Sequence, residues 1–232
     1  MAAITRILSM LLVFFSPALA NVEKTIFLGP EPISAPLTRP ALADLRLSSL
    51  TPANGTLRTQ LAAQFPTAAH PLGPATWLIL DQLTPNQRYE VRVCWPATQP
   101  TAFQVDTFAL SAVHASPDLL ASLHSYAKTH HAGAASAAPR STDGEASILL
   151  LRILAAADYF TADAALMRTV PPVDVDIILD PFLFNVLPRS LAGTVGYIVP
   201  VAVVAYLLAG KIASWIEGLI VASGTRHDKK TQ

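Results

Sequence analysis

Asp174-Val175-Asp176 is the spacing in this chain that most invites chemistry. Two carboxylates two residues apart on a strand point to the same side and could share a divalent ion, which would suit metal-assisted group transfer. The alternating Val173, Val175 and Ile177 equally describe a half-buried strand with its polar edge in water, and that is the reading adopted. The histidines at 70, 114, 124, 130 and 131 form no HExxH or similar pattern. His130 and His131 fall in a stretch of solvent-facing composition. Cys94 is the single cysteine, so no intramolecular disulfide can form and a multi-cysteine metal site is excluded. No GxSxG and no Gly-rich phosphate loop occurs. The expectation is therefore a chain with no catalytic residues, no cofactor-binding residues and no metal ligands. Cys94 reads as a small apolar residue near the end of a strand, with a mixed disulfide to a partner as the sharper alternative.

Composition narrows the class further. The formal charge is zero over 232 residues, which gives no electrostatic reason to expect nucleic acid. The positive mean hydropathy of +0.42 comes largely from the two ends of the chain and from its many alanines. Nineteen prolines fall in good part between candidate strands.

The two ends predict a membrane topology. Residues 1–20 have the three parts of a secretory signal: Arg6, the apolar stretch from Ile7 to Phe15, and the small-x-small site Ala18-Leu19-Ala20. The apolar stretch is too short to span a bilayer. Residues 190–210, SLAGTVGYIVPVAVVAYLLAG, carry no charge and lie between Arg189 and Lys211. At ~1.5 Å per residue they can cross a ~30 Å hydrocarbon core as a helix. Gly193, Gly196, Pro200 and Gly210 leave surfaces where a neighbouring helix can approach. Ile212 to Val221 would extend that helix or lie along the interface. Lys211, Arg226, Lys229 and Lys230 follow the span, so residues 211–232 are expected in the cytosol and the N-terminal domain on the opposite side, as a single-pass type I protein. Lys229 and Lys230, third and fourth from the end, resemble the dilysine retrieval signal of endoplasmic reticulum membrane proteins, which the coat machinery reads.

Between the ends, residues 21–188 suffice for one domain of ordinary size. Strands are expected at Thr25–Leu28, Leu45–Leu50, Trp77–Leu80, Tyr89–Trp95, Ala102–Leu110 and Val173–Leu179, and a helix at Pro117–Ala127. In the strand from Tyr89, Val91, Val93 and Trp95 share one face with Tyr89, while Glu90, Arg92 and Cys94 take the other. Ser147–Ala157 is buried strand or helix, its type left open. Residues 129–145 read as a flexible loop. The whole is mainly β, a sandwich-like domain. Leu83 to Val93 resembles the corner of fibronectin type III domains, which would put the Tyr89 ring in the core and its hydroxyl on nearby backbone. Asn54-Gly55-Thr56 is a glycosylation sequon on a turn. Phe182 and Phe184, in the apolar, proline-bounded segment Asp180–Pro188, are expected to touch the membrane face or a partner.

This layout, with the stretches TWLILDQLTPNQRYEVRVCWPATQPTAF and DIILDPFLFNVLPRSL, resembles the fungal GPI-mannosyltransferase II co-activator family. The resemblance implies a non-catalytic subunit in the endoplasmic reticulum membrane. Its partner would be a multi-span mannosyltransferase that adds the second mannose to the glycosylphosphatidylinositol precursor. The competing expectation is another luminal β-sandwich interaction protein: an insertase, chaperone or cargo-adaptor subunit. A third is an enzyme built on the Asp174/Asp176 pair.

Overall fold

The computed structural model describes residues 21–34, 45, 47–130 and 145–228. The expected signal peptide, most of the 129–145 loop, and Lys229 and Lys230 lie outside them. The chain divides into two compact units, one up to Pro181 and one from Phe182 onward.

The first unit is built on two sheets. One has strands β1 (Val22–Leu28), β4 (Thr56–Leu61), β6 (Arg88–Cys94) and β10 (Val173–Leu183), all antiparallel, with β6 and β10 at its centre. The other orders β3 (Ser49–Leu50), β5 (Ala75–Leu80), β9 (Leu149–Ala157) and β7 (Thr101–Phe108), with β3 parallel to β5. A short ribbon pairs β2 (Ile33–Ser34) with β8 (Glu145–Ala146). The predicted alternation of β6 holds: Tyr89, Val91 and Val93 are buried and join Val175, Ile177 and Leu179 of β10 in the main core. Leu78, Leu80, Leu151, Ile153, Phe103 and Val105 meet them from the second sheet.

The second sheet is covered on both sides. Helices α1 (Leu110–Ala115) and α2 (Pro117–His130) supply a second cluster, in which Trp77, Ile79 and Leu150 pack with Val113 and Leu123. A short helix, α3 (Ala164–Arg168), lies between β9 and β10 in the chain. This explains the runs TWLIL and LLLRILAAA: a strand buried on both faces is apolar throughout. Ser147–Ala157, whose type the sequence left open, is therefore strand β9 from Leu149 onward. Leu45–Leu50 is strand only over Ser49–Leu50, and β4 was not anticipated. The fold is mainly β, a sandwich with a helical layer on one sheet.

The expected tyrosine corner is present. The Thr84 amide donates to the Tyr89 hydroxyl at 2.9 Å, and the Tyr89 ring is buried and stacks on Phe27 at 5.7 Å. The end of β1 docks on the same turn. Gly29 donates to the Gln87 carbonyl and accepts from the Asn86 amide, at 2.8 and 2.9 Å. A Cβ at Gly29 would meet the Thr84 carbonyl oxygen at 2.1 Å, so only glycine permits this approach.

The second unit begins with the end of β10, which turns into β11 (Leu187–Pro188). A 3₁₀ turn, Arg189–Leu191, leads into helix α4 (Ala192–Asp228). Residues Arg189–Gly218 form one helix long and apolar enough to cross a membrane. The helix continues unbroken through Pro200 and past Ile212, so the segment after the uncharged run prolongs the helix.

Candidate functional site

The acidic pair is occupied by protein partners. Asp176 accepts two hydrogen bonds from Arg58 on β4, at 2.7 and 2.8 Å, a bidentate arrangement. Those hydrogen bonds, and then the Arg58 charge, hold the Asp176 carboxyl below its usual range. Asp174 accepts from Gln60 at 2.9 Å. Both are cross-strand pairs set by register, Asp174 opposite Gln60 and Asp176 opposite Arg58. Among the described residues no group of three or more His, Cys, Asp or Glu could hold a metal ion. Cys94 ends β6, half-buried and free. Burial pushes its thiol up, with Arg92 acting the other way.

The face of β6 that alternation assigns to solvent is different in kind. Glu90 and Asp180 face each other across β6 and β10 and are only 4% and 5% exposed. Arg92 lies 3.5 Å from Glu90 and 3.8 Å from Asp180, and Lys24 of β1 reaches Glu90 at 3.1 Å. Three strands are thus joined by one charge network. Buried carboxylates demand such partners, since an uncompensated buried charge is costly. Sequence reading missed this cluster, because charged residues at every second position give the same pattern whether they meet water or each other.

Asn54 is exposed on a turn in which the Thr51 amide donates to the Asn54 carbonyl and the Asn54 amide to the Thr51 hydroxyl, at 3.2 and 3.1 Å. Gly55 lies under it, where a Cβ would come within 2.4 Å of the Leu179 carbonyl oxygen. In the second unit, a Cβ at Gly193, Gly196 or Gly210 would meet nothing within 4 Å. At ~100° per residue, these glycines and Pro200 share an arc of about 100° on α4. Phe182 is buried and Phe184 is 98% exposed, so only the second of the two aromatics is available to an outside surface. An aromatic feature not anticipated from sequence is Phe160, 90% exposed. It lines a groove of about 240 Å³ together with Tyr159, Leu166 and Pro171. Its signal was an aromatic pair, Tyr159-Phe160, amid polar residues.

These features define a class: a mainly β protein with one C-terminal apolar helix of membrane-spanning length. Within it, a family model described as GPI-Mannosyltransferase II co-activator matches residues 48–129. That match supports the assignment of the chain to this family. The matched residues run from β3 through α2 and include the tyrosine corner, the core strands β5 and β6, and Glu90 and Arg92. No curated protein and no solved structure matches the chain.

Proposed function

We propose that the chain is a non-catalytic, single-pass subunit of the endoplasmic reticulum enzyme that adds the second mannose to the glycosylphosphatidylinositol precursor. The family match carries this reading. In it, residues 21–188 fold in the lumen, 190–210 cross the membrane, and 211–232 face the cytosol with Lys229 and Lys230 as a retrieval signal. The open arc of Gly193, Gly196, Pro200 and Gly210 packs on a helix of the multi-span catalytic partner, where small residues allow close approach. A subunit that binds only the folded partner stabilises it by mass action.

Depletion of the protein is expected to accumulate a glycolipid precursor bearing one mannose. An unchanged precursor profile, or a block at another step, overturns the reading. The same strain separates subunit from enzyme. Asp174→Asn with Asp176→Asn should still complement, because the pair is engaged by Gln60 and Arg58. Loss of complementation by a folded double variant would favour metal-assisted chemistry. Co-purification separates this subunit from the insertase, chaperone or cargo-adaptor reading, which predicts a bound protein other than a mannosyltransferase.

The exposed turn at Asn54 is proposed to carry an N-glycan. Asn54→Gln should remove an endoglycosidase-sensitive mobility shift. A mobility already insensitive to the glycosidase in the unmodified protein would show the sequon to be empty.

A further inference from the structure

The turn that precedes the long helix holds an aromatic side chain outward against its own backbone preference. Leu183 pairs with Leu187 and Phe182 with Pro188, and the Val186 amide donates to the Leu183 carbonyl at 3.1 Å. Both central residues sit at positive φ, 52° at Phe184 and 58° at Asn185. Turns of this type favour Asn-Gly at these places. Asparagine tolerates the left-handed region, but a bulky aromatic there is an outlier. A residue kept in such a conformation at an exposed tip points to function. The chosen side chain is apolar: Phe184 is 98% exposed and Val186 78% exposed. Neither contributes to a core.

The occupant of this surface follows from what the turn is attached to. Asn185, Val186, Leu187 and Pro188 alone separate Phe184 from Arg189, where the apolar helix begins. At ~3.4 Å per residue the tip lies at most ~17 Å from that point. The hairpin pairing and the 3₁₀ turn Arg189–Leu191 shorten the path further. If the helix enters the bilayer near Arg189, the tip cannot leave the vicinity of the headgroup layer. Apolar side chains such as Phe and Leu on membrane-surface segments bury at the headgroup–acyl boundary. Arg189 beside it suits lipid phosphates. Leu191, also exposed, continues the apolar surface from the tip into the helix.

We infer that the Leu183–Val186 turn is a lipid-inserting wedge, which buries Phe184 and Val186 at the headgroup–acyl boundary on the side from which the helix enters. This rests on the proposed reading of α4 as a membrane span. It assigns the turn to lipid, with a protein partner as the losing alternative.

The test uses the full mature chain in phosphatidylcholine vesicles doped with phosphatidylcholine that carries a nitroxide near the acyl carbonyl or deep in the chain. Phe184→Trp is placed in a Trp215→Phe background and its emission compared with that background alone. The difference between the unmodified chain and the Trp215→Phe background isolates Trp215 on α4 and reports separately on insertion of the helix. The expected result is a blue-shifted signal from position 184 that the shallow nitroxide quenches more than the deep one. Phe184→Gly should leave the fold intact, since glycine accepts the same φ, yet raise aqueous-iodide quenching of the indole introduced by Val186→Trp in the same Trp215→Phe background. An unquenched, solvent-like signal at 184 alongside quenched Trp215 overturns the wedge and leaves the span standing. Absence of quenching at both positions overturns the span, and the wedge with it.

Discussion

Trp77→Ala is expected to destabilise the sandwich by about 3–5 kcal/mol, the range for removing a fully buried large aromatic. Trp77 is fully buried on β5, on the face turned to the helices. Its ring lies 6.0 Å from that of Phe108 on β7, and its indole N–H donates to the Ser122 hydroxyl of α2 at 3.2 Å. One side chain thus bridges two strands of the second sheet, β5 and β7, and ties that sheet to the helical layer. Truncation would open a cavity and leave the hydroxyl without its donor. The melting temperature should fall on the order of 10 °C, measured on the full chain in detergent by far-ultraviolet circular dichroism. Trp77→Phe, which keeps most of the apolar volume, should cost markedly less. A loss below about 1 kcal/mol for the alanine variant would mean that the helices are not held on the sheet by this contact.

The second large effect is expected from Arg92→Met. The methionine keeps the apolar stem and removes the guanidinium between Glu90 and Asp180. Two buried carboxylates would then face each other across β6 and β10. Breaking one partner out of a buried charge network costs about 3–5 kcal/mol. The lower end applies here, since the Arg92 side chain is 24% exposed and Lys24 still reaches Glu90. Chemical denaturation of the single variants and of Arg92→Met with Glu90→Gln forms a cycle. The double variant should recover a large part of the loss, because removing one of the opposed charges relieves the pair. Additive losses would show that the Arg92 charge is not coupled to Glu90.

These two sites also mark where sequence and structure divide. The tyrosine corner was readable before any fold was known: Leu83, Pro85 and Tyr89 state a turn followed by an inward aromatic, and the hydroxyl lies on the Thr84 amide as expected. The alternation of β6 was equally plain, because one of its faces meets apolar core and the other meets charge. By contrast β9 gave no period. Its LLLRILAAA run is covered by the opposing sheet on one side and partly by helices on the other, and residues buried on both faces lose the contrast that distinguishes strand from helix. β4, Thr56–Leu61, went unseen for the opposite reason: an edge strand with Arg58 and Gln60 on its outer face offers little apolar signal. The roles of Asp174 and Asp176 turned on that unseen strand, since their partners stand more than a hundred residues away.

By itself the sequence determined the class of the protein. Twenty-one uncharged residues after Arg189 make a helix long enough for a bilayer, because length and hydropathy are local properties of the chain. The apolar alternation around Tyr89 made a β core unavoidable for the same reason. Only the tertiary structure decided which charges are buried and which aromatic is exposed. Glu90 and Asp180 disappear from solvent because register brings Arg92 and Lys24 to them, and Phe184 stands in the open because its turn takes left-handed backbone angles. Both depend on pairings between distant segments, and composition and spacing carry no record of them.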